Sequence, residues 1–274
     1  LILFFTYYKL YIWISIYSHL MEEICRSPFP HMILYDFIPE SLLSNVIKEY
    51  NHLLDEKKNQ WVYYDNPIEH KLAYNSLECS SALQELTKYV GEPAFIQRIQ
   101  SAFGLEDIEL DTELYGAGLH NHPTGGFLST HLDYEINPRT FKKRWLNLLI
   151  YLNDDWKDEY NGDTELWNAD HTICEKRVYP EYNKALLFQT DDQSWHGVSR
   201  SIRCPPTTSR KTVAFYYVSK RIYDVSKDLP DESKIRWKAQ FYNPDYMELC
   251  KIRSQRRLVP EDYIHIQQRD TPNA

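Results

Sequence analysis

From residue 39 to residue 103 apolar positions recur every third or fourth residue, whereas from residue 110 to about 220 they alternate or run in short blocks. That change of period divides the chain into a helical part and a strand part. A short apolar run at 32–37 predicts a leading strand, and Pro39 opens a helix where its missing N–H costs nothing. This helix is expected to reach about residue 55, with Leu42, Leu43, Val46, Ile47, Tyr50 and Leu54 on one face. An extended stretch at 60–65 leads into N-P-I-E-H-K-L-A-Y-N, and two further helices follow at 81–89 and 93–103, the second stopped by Gly104. The N-terminal third thus reads as helical behind one strand.

Beyond residue 110, runs rich in β-branched and aromatic residues predict strands near 110–117, 127–133, 145–152, 163–168, 172–179, 184–189, 195–200 and 211–219. Gly125-Gly126, Asn153-Asp154-Asp155, Asn161-Gly162, Asn168-Ala169-Asp170 and Pro205-Pro206 punctuate them. Strands at this spacing without intervening helices imply a sandwich or barrel, and a jelly roll brings residues distant in sequence together inside it. The expected class is mainly β with N-terminal helices. The chain divides as 1–20, a 21–109 helical part packing on the core, a 110–220 core, and a polar 221–274 extension with a short helix near 246–253.

Composition narrows the functional classes. Apolar residues at 43% and a net charge of -8 are those of an ordinary globular protein, and no basic block points to nucleic acid. The five cysteines (Cys25, Cys79, Cys174, Cys204, Cys250) are scattered and form no C-x-x-C pair, which argues for a reducing, cytoplasmic setting and against a zinc ribbon. Residues 1–20 are almost wholly apolar and have the length of a membrane span. No small-residue cleavage site follows, and Met21-Glu22-Glu23 reads as an alternative start. The segment is expected to be translated upstream sequence or a membrane anchor, and is set aside from the fold.

The chemistry concentrates in Y-G-A-G-L-H-N-H-P-T-G-G-F-L-S-T-H-L-D, residues 115–133, and in Trp195-His196-Gly197. Residues two apart on a strand share a face, so His131 and Asp133 can reach one ion and His196 from a neighbouring strand completes the set. Two histidines and one carboxylate with open positions opposite are the ligand set of non-haem Fe(II) oxygenases. His120 and His122 read as ordinary hydrogen-bonded residues. Arg210 begins an apolar strand that points its guanidinium inward, where its planar fork suits a carboxylate. Lys211 must face the other way, and Arg200 and Arg203 are rivals nearby. In W-L-N-L-L-I-Y-L-N-D-D-W, Asn147 and Tyr151 share a face and can line the pocket. Glu165 is taken as substrate-facing or as an edge residue, because a fourth ligand would close the site. No H-E-x-x-H supports a zinc hydrolase.

The stretches G-G-F-L-S-T-H-L-D, W-L-N-L-L-I-Y-L-N-D-D-W, G-D-T-E-L-W, W-H-G-V and S-R-K-T-V-A-F-Y-Y, in this order, resemble the prolyl-4-hydroxylase-like Fe(II)/2-oxoglutarate dioxygenases. P-F-P-H-M-I-L-Y-D-F-I-P-E-S-L-L and N-P-I-E-H-K-L-A-Y-N resemble the branch containing ribosomal-protein prolyl hydroxylases, so that the likeness spans 27–220. It implies a double-stranded β-helix core, Fe(II) on His131, Asp133 and His196, 2-oxoglutarate held by Arg210 and Tyr151, and O2 as oxidant. Ascorbate is the expected reductant. The implied reaction hydroxylates a C–H bond of peptidyl proline with release of succinate and CO2. Alternatives are the same chemistry on a sugar or other small metabolite, and a jelly-roll binding module without turnover. Two departures from the family pattern stand out. The His196-to-Arg210 interval is long, so residues 202–209 must bulge, and Gly162-Asp163 stands where relatives often have two glycines.

Overall fold

A computed structural model describes residues 24–78, 80–223 and 239–267. The expectations for residues 1–20 and for Cys79 lie outside these, and among the described residues no helix is long and apolar enough to cross a membrane.

Three helices, α1 (Glu40–Glu56), α2 (Ser81–Val90) and α3 (Pro93–Phe103), fall where periodicity places them. Pro39 precedes α1, and its carbonyl accepts from the Leu42 and Leu43 amides. The Ser80 hydroxyl caps α2 by accepting from the Leu83 amide. Gly104 ends α3 in the left-handed conformation that glycine adopts without strain. Leu42, Leu43, Val46, Tyr50 and Leu53 bury the face of α1, each contributing about 1.5–3 kcal/mol on leaving water.

The strands form one curled antiparallel sheet. They are β1 (His31–Leu34), β2 (Val62–Asn66), β3 (Glu69–Tyr74), β4 (Ile108–Leu110), β5 (Gly118–His122), β6 (Phe127–Leu132), β7 (Lys142–Tyr151), β8 (Thr164–Trp167), β9 (Cys174–Val178), β10 (Ala185–Gln189), β11 (His196–Val198), β12 (Arg210–Ile222) and β13 (Gln240–Phe241). The order is β1-β10-β7-β12-β5-β3-β6-β11-β8-β9, with β4 on β12, β2 on β3 and β13 on β6. The fold is the expected jelly-roll type. On β7, Leu146, Leu148 and Ile150 point to the helix-backed core, while Asn147 and Leu149 line an interior cavity. On β12, Val213, Phe215 and Tyr217 join the same core, and Arg210, Thr212, Ala214 and Tyr216 line the cavity. The period of two along two neighbouring strands thus decides which side chains reach the site.

Three expectations differ from the structure. The strand expected at 110–117 is a turn region between β4 and β5, because Leu114, Gly116 and Gly118 all adopt positive φ. Gly118 lies so close to β3 that a Cβ would stand 2.4 Å from the Tyr74 carbonyl oxygen. Second, the N-terminal third is more than helices behind one strand. Asn66, whose side-chain oxygen accepts from the Ile68 and Glu69 amides, turns β2 into β3, and β3 sits between β5 and β6 inside the core sheet. Residues 21–109 therefore supply strands β1 and β3 to the core as well as helices packed on it. Third, the C-terminal segment is anchored. Beyond β13 it carries the expected helix, α4 (Met247–Arg253), and an unexpected α5 (Pro260–Gln267). Phe241, Leu249, Cys250 and Leu258 bury a small core against Ile68.

Candidate active site

His131 on β6 and His196 on β11 are direct cross-strand partners, with ring centroids 4.4 Å apart. Asp133 follows β6 on the same face. Its Oδ1 lies 3.6 Å from His131 Nε2 and its Oδ2 3.6 Å from His196 Nε2. The three ligand atoms lie within 4.8 Å of one another. His131 Nδ1 is 3.0 Å from the Ser129 carbonyl oxygen and His196 Nδ1 is 2.8 Å from that of Ser194. A carbonyl only accepts, so both Nδ1 atoms carry hydrogen and both Nε2 atoms face the Asp133 carboxylate.

The electrostatics match. Burial, reinforced by neighbouring His131, pushes the His196 pKa down to about 4, so the ring is neutral at physiological pH. Burial opposes ionisation of Asp133, but His196 and His131 outweigh it and hold the carboxyl far below the usual range. Asn147 Nδ2 donates to Asp133 Oδ2 at 2.9 Å and fixes the carboxylate's orientation. Phe241 stacks on the His131 ring at 5.2 Å, and Phe188 meets the His196 ring edge-on at 4.6 Å. Two imidazole nitrogens and one carboxylate oxygen on a common face fit a divalent first-row metal and leave the opposite side to other ligands.

Arg210 is 2% exposed and makes no ion pair with a carboxylate among the described residues. Its Nε donates to the Gly162 carbonyl at 2.6 Å and one terminal nitrogen donates to Thr164 Oγ1 at 2.9 Å. Tyr151 does not line the cavity; its hydroxyl donates to the same Thr164 oxygen at 2.7 Å. Gly162 has φ +92°, and a Cβ there would press on Arg210 Cδ and Trp156 at 3.2 Å. The departure at 162–163 therefore keeps the glycine that Arg210 needs, while Asp163 pairs with Arg200. Lys211 points to the helix side, donating to Asn51 Oδ1 at 2.7 Å. The long interval before Arg210 does bulge: Ile202 bonds to the backbone of Gly125 and Gly126 and packs with Trp156 and Cys204. Glu165 points away from the site and pairs with Arg177, accepting also from the Ser199 hydroxyl at 2.6 Å.

The expectation that His120 and His122 are ordinary hydrogen-bonded residues does not hold for His122. Register pairs it with Arg210, it lines the same cavity, it is 2% exposed, and neither ring nitrogen has a hydrogen-bond partner. Burial, with Arg210 and Lys71 nearby, drives its pKa well down, so the ring is neutral. A buried cation without a counter-ion beside an unbonded imidazole suits an anionic ligand carrying acceptor oxygens. The sequence signal for His122 was its place on a strand facing Arg210, visible only once β5 is paired with β12. The cavity, about 120 Å³, is lined by His131, Asp133 and His196 on one side and His122, Thr164 and Arg210 on the other.

Residues 117–218 match the 2OG-Fe(II) oxygenase superfamily, a span that contains His131, Asp133, Asn147, Tyr151, His196 and Arg210. No curated protein matches the chain by sequence. Among solved structures, a Pseudomonas putida prolyl-4-hydroxylase superposes with a TM-score of 0.52 at 18% identity, over 70% of this chain and 93% of that one. A Trichoplax adhaerens prolyl hydroxylase, solved with a hypoxia inducible factor peptide fragment, gives 0.49 at 16% identity, over 69% and 84%. HygX from Streptomyces hygroscopicus, solved with nickel, 2-oxoglutarate and hygromycin B, gives 0.47 at 12% identity, over 69% and 83%. At such identities only the first likeness is informative, and what it shows is the fold.

Proposed function

We propose that this chain, a member of the 2OG-Fe(II) oxygenase superfamily over residues 117–218, is an Fe(II)- and 2-oxoglutarate-dependent hydroxylase of a peptidyl substrate, with proline as the residue modified. The observation that carries the reading is the pairing of an open His131–Asp133–His196 face with the buried, carboxylate-free Arg210 across one small cavity. Fe(II) with bound 2-oxoglutarate supplies the O2-dependent decarboxylation to succinate and CO2 that is coupled to C–H hydroxylation. The chain's own residues prepare that chemistry. His131, Asp133 and His196 present two imidazole nitrogens and one carboxylate, and Asn147 holds the carboxylate in place. Arg210 and Thr164 offer donors to the far carboxylate of the keto-acid, Tyr151 positions Thr164, and His122 offers a ring N–H on the same side. The apolar walls from Leu149, Ala214 and Phe241 exclude water from the reacting centre.

The test is succinate formation by the full chain from 2-oxoglutarate with Fe(II) and ascorbate, with and without proline-containing peptides. The expected result is slow succinate release that a productive peptide raises and His131→Ala abolishes. Absence of both succinate and metal-dependent 2-oxoglutarate binding would sink the enzyme reading.

A further inference from the structure

Outside the metal cavity lies a second, larger one of about 350 Å³, and Lys71, Gly116, His120, Tyr134 and Arg253 line both. The outer cavity is a strongly basic groove on a chain whose net charge is -8. Lys71, Arg139, Arg253, Arg256 and Arg257 line it, and among the described residues no Asp or Glu does. Some of that charge is answered nearby. Glu69, fully buried, pairs with Arg253 and lies 3.8 Å from Lys71, and Asp262 takes both terminal nitrogens of Arg256 at 2.7 and 2.8 Å. Arg139 and Arg257 have no carboxylate within ion-pair distance among the described residues. The Arg139 guanidinium makes no hydrogen bond there and lies 5.1 Å over the Tyr115 ring. Arg257 gives one nitrogen to the Tyr63 carbonyl and lies 4.4 Å over the Tyr64 ring. Aromatic faces of this kind hold a guanidinium in place while leaving its donors available.

β2, β3 and the turns before β5 and β7 supply most of the groove's wall, and the C-terminal segment, which lies outside the superfamily match, adds Arg253, Gln255, Arg256 and Arg257. β13 adds to β6 so that Phe241 lies on His131, and Arg253 at the end of α4 ties the segment to Glu69 on β3. The same segment then delivers Arg256 and Arg257 to the groove. Arg139 comes from the turn before β7.

Resting on the oxygenase reading above, we infer that segment 239–267 is the substrate-reading element of this site, and that the groove takes an acidic peptide whose carboxylates sit on Arg139 and Arg257. Two arginines on separate elements match spaced carboxylates along an extended chain. Tyr64, Tyr115 and Tyr134 also line the groove and add aromatic surface to it.

The test measures binding without turnover. Fluorescein-labelled peptides with a central proline flanked by glutamates, by glutamines or by lysines are titrated with the full chain, loaded anaerobically with Fe(II) and 2-oxoglutarate. The glutamate peptide is expected to bind about tenfold or more tighter than its glutamine counterpart, the loss of one charge-assisted contact. Rising salt should erode that preference. Joint Arg139→Glu and Arg257→Glu should abolish it, while Lys251→Glu, an equal change per site on an exposed face off the groove, should leave it intact. Equal binding of glutamate and glutamine peptides would overturn the inference. So would a double variant that raises only the Kd for 2-oxoglutarate, or full displacement of the peptide by inorganic phosphate, which assign the groove to steering the co-substrate or to a small anion. Succinate formation is read separately, so failure of the oxygenase reading is distinguishable from failure of this one.

Discussion

Replacing Arg210 by methionine should separate stability from ligand binding, with opposite signs. The guanidinium is buried without a carboxylate partner, and burial lowers its pKa against the opposing influence of Tyr151 and Asp163. Removing an ion from such a site relieves an effective cost of several kcal/mol. Against this, the Gly162 carbonyl loses its donor, worth about 1–3 kcal/mol, whereas Thr164 keeps the Tyr151 hydroxyl. The ligand-free variant is therefore expected to be as stable as the parent or more so, with each kcal/mol raising the melting temperature by about 2–4 °C at this chain length. Binding of 2-oxoglutarate should fall by about 2–5 kcal/mol, because one partner of a desolvated charge pair is gone. That is a loss of roughly thirty- to several-thousand-fold in affinity. The assay is thermal unfolding of metal-loaded protein with and without 2-oxoglutarate. At a hundredfold excess over the parent Kd the ligand stabilises the parent by about 2.7 kcal/mol, and the variant by no more than about 0.9 kcal/mol. A variant that melts well below the parent without ligand, or that keeps the 2-oxoglutarate shift, would refute the reasoning.

Asn147→Ala removes the hydrogen bond to Asp133 and should weaken metal binding by roughly 10–100-fold. Its unfolding midpoint should barely move, because Asn147 Oδ1 is already buried without a partner; competitive chelation and a urea titration check the two halves. Glu69→Gln leaves Arg253 and Lys71 without their counter-charge and should cost about 3 kcal/mol in urea unfolding, the low end for a buried pair because both cations reach a cavity. Burial opposes the Glu69 charge, but Arg253 and Lys71 hold its pKa below the ordinary 4.5. Its stabilisation is therefore complete above that value and is lost as pH falls through the lowered folded value, so the variant should lack this part of the acid dependence. Gly162→Ala forces a side chain into φ +92° against Arg210 and Trp156. It should lower stability by about 1–3 kcal/mol in thermal melts and weaken 2-oxoglutarate binding together with it.

The residues legible in the sequence are those whose position follows from local periodicity. Alternation places His131 with Asp133, and Arg210 opposite to Lys211, before any pairing is known, and the structure puts all four where that period requires. The 3.6-residue period and the terminators Pro39 and Gly104 similarly locate α1 to α3. Periodicity says which way a side chain faces, but not what faces it. That Asn147 meets Asp133, that His122 lies beside Arg210, and that β3 lies between β5 and β6 are contacts between segments far apart along the chain. They are selected by strand register and by the packing of the whole curled sheet. The C-terminal segment is the clearest case. Its sequence is polar with one short amphipathic stretch, and only the addition of β13 to β6 brings Phe241 onto His131 and Arg257 to the groove. The shared face of His131 and Asp133 was thus determined locally, whereas the arrival of His196 beside them and the surroundings of the site were decided by tertiary structure, because only non-local strand pairing brings those side chains together.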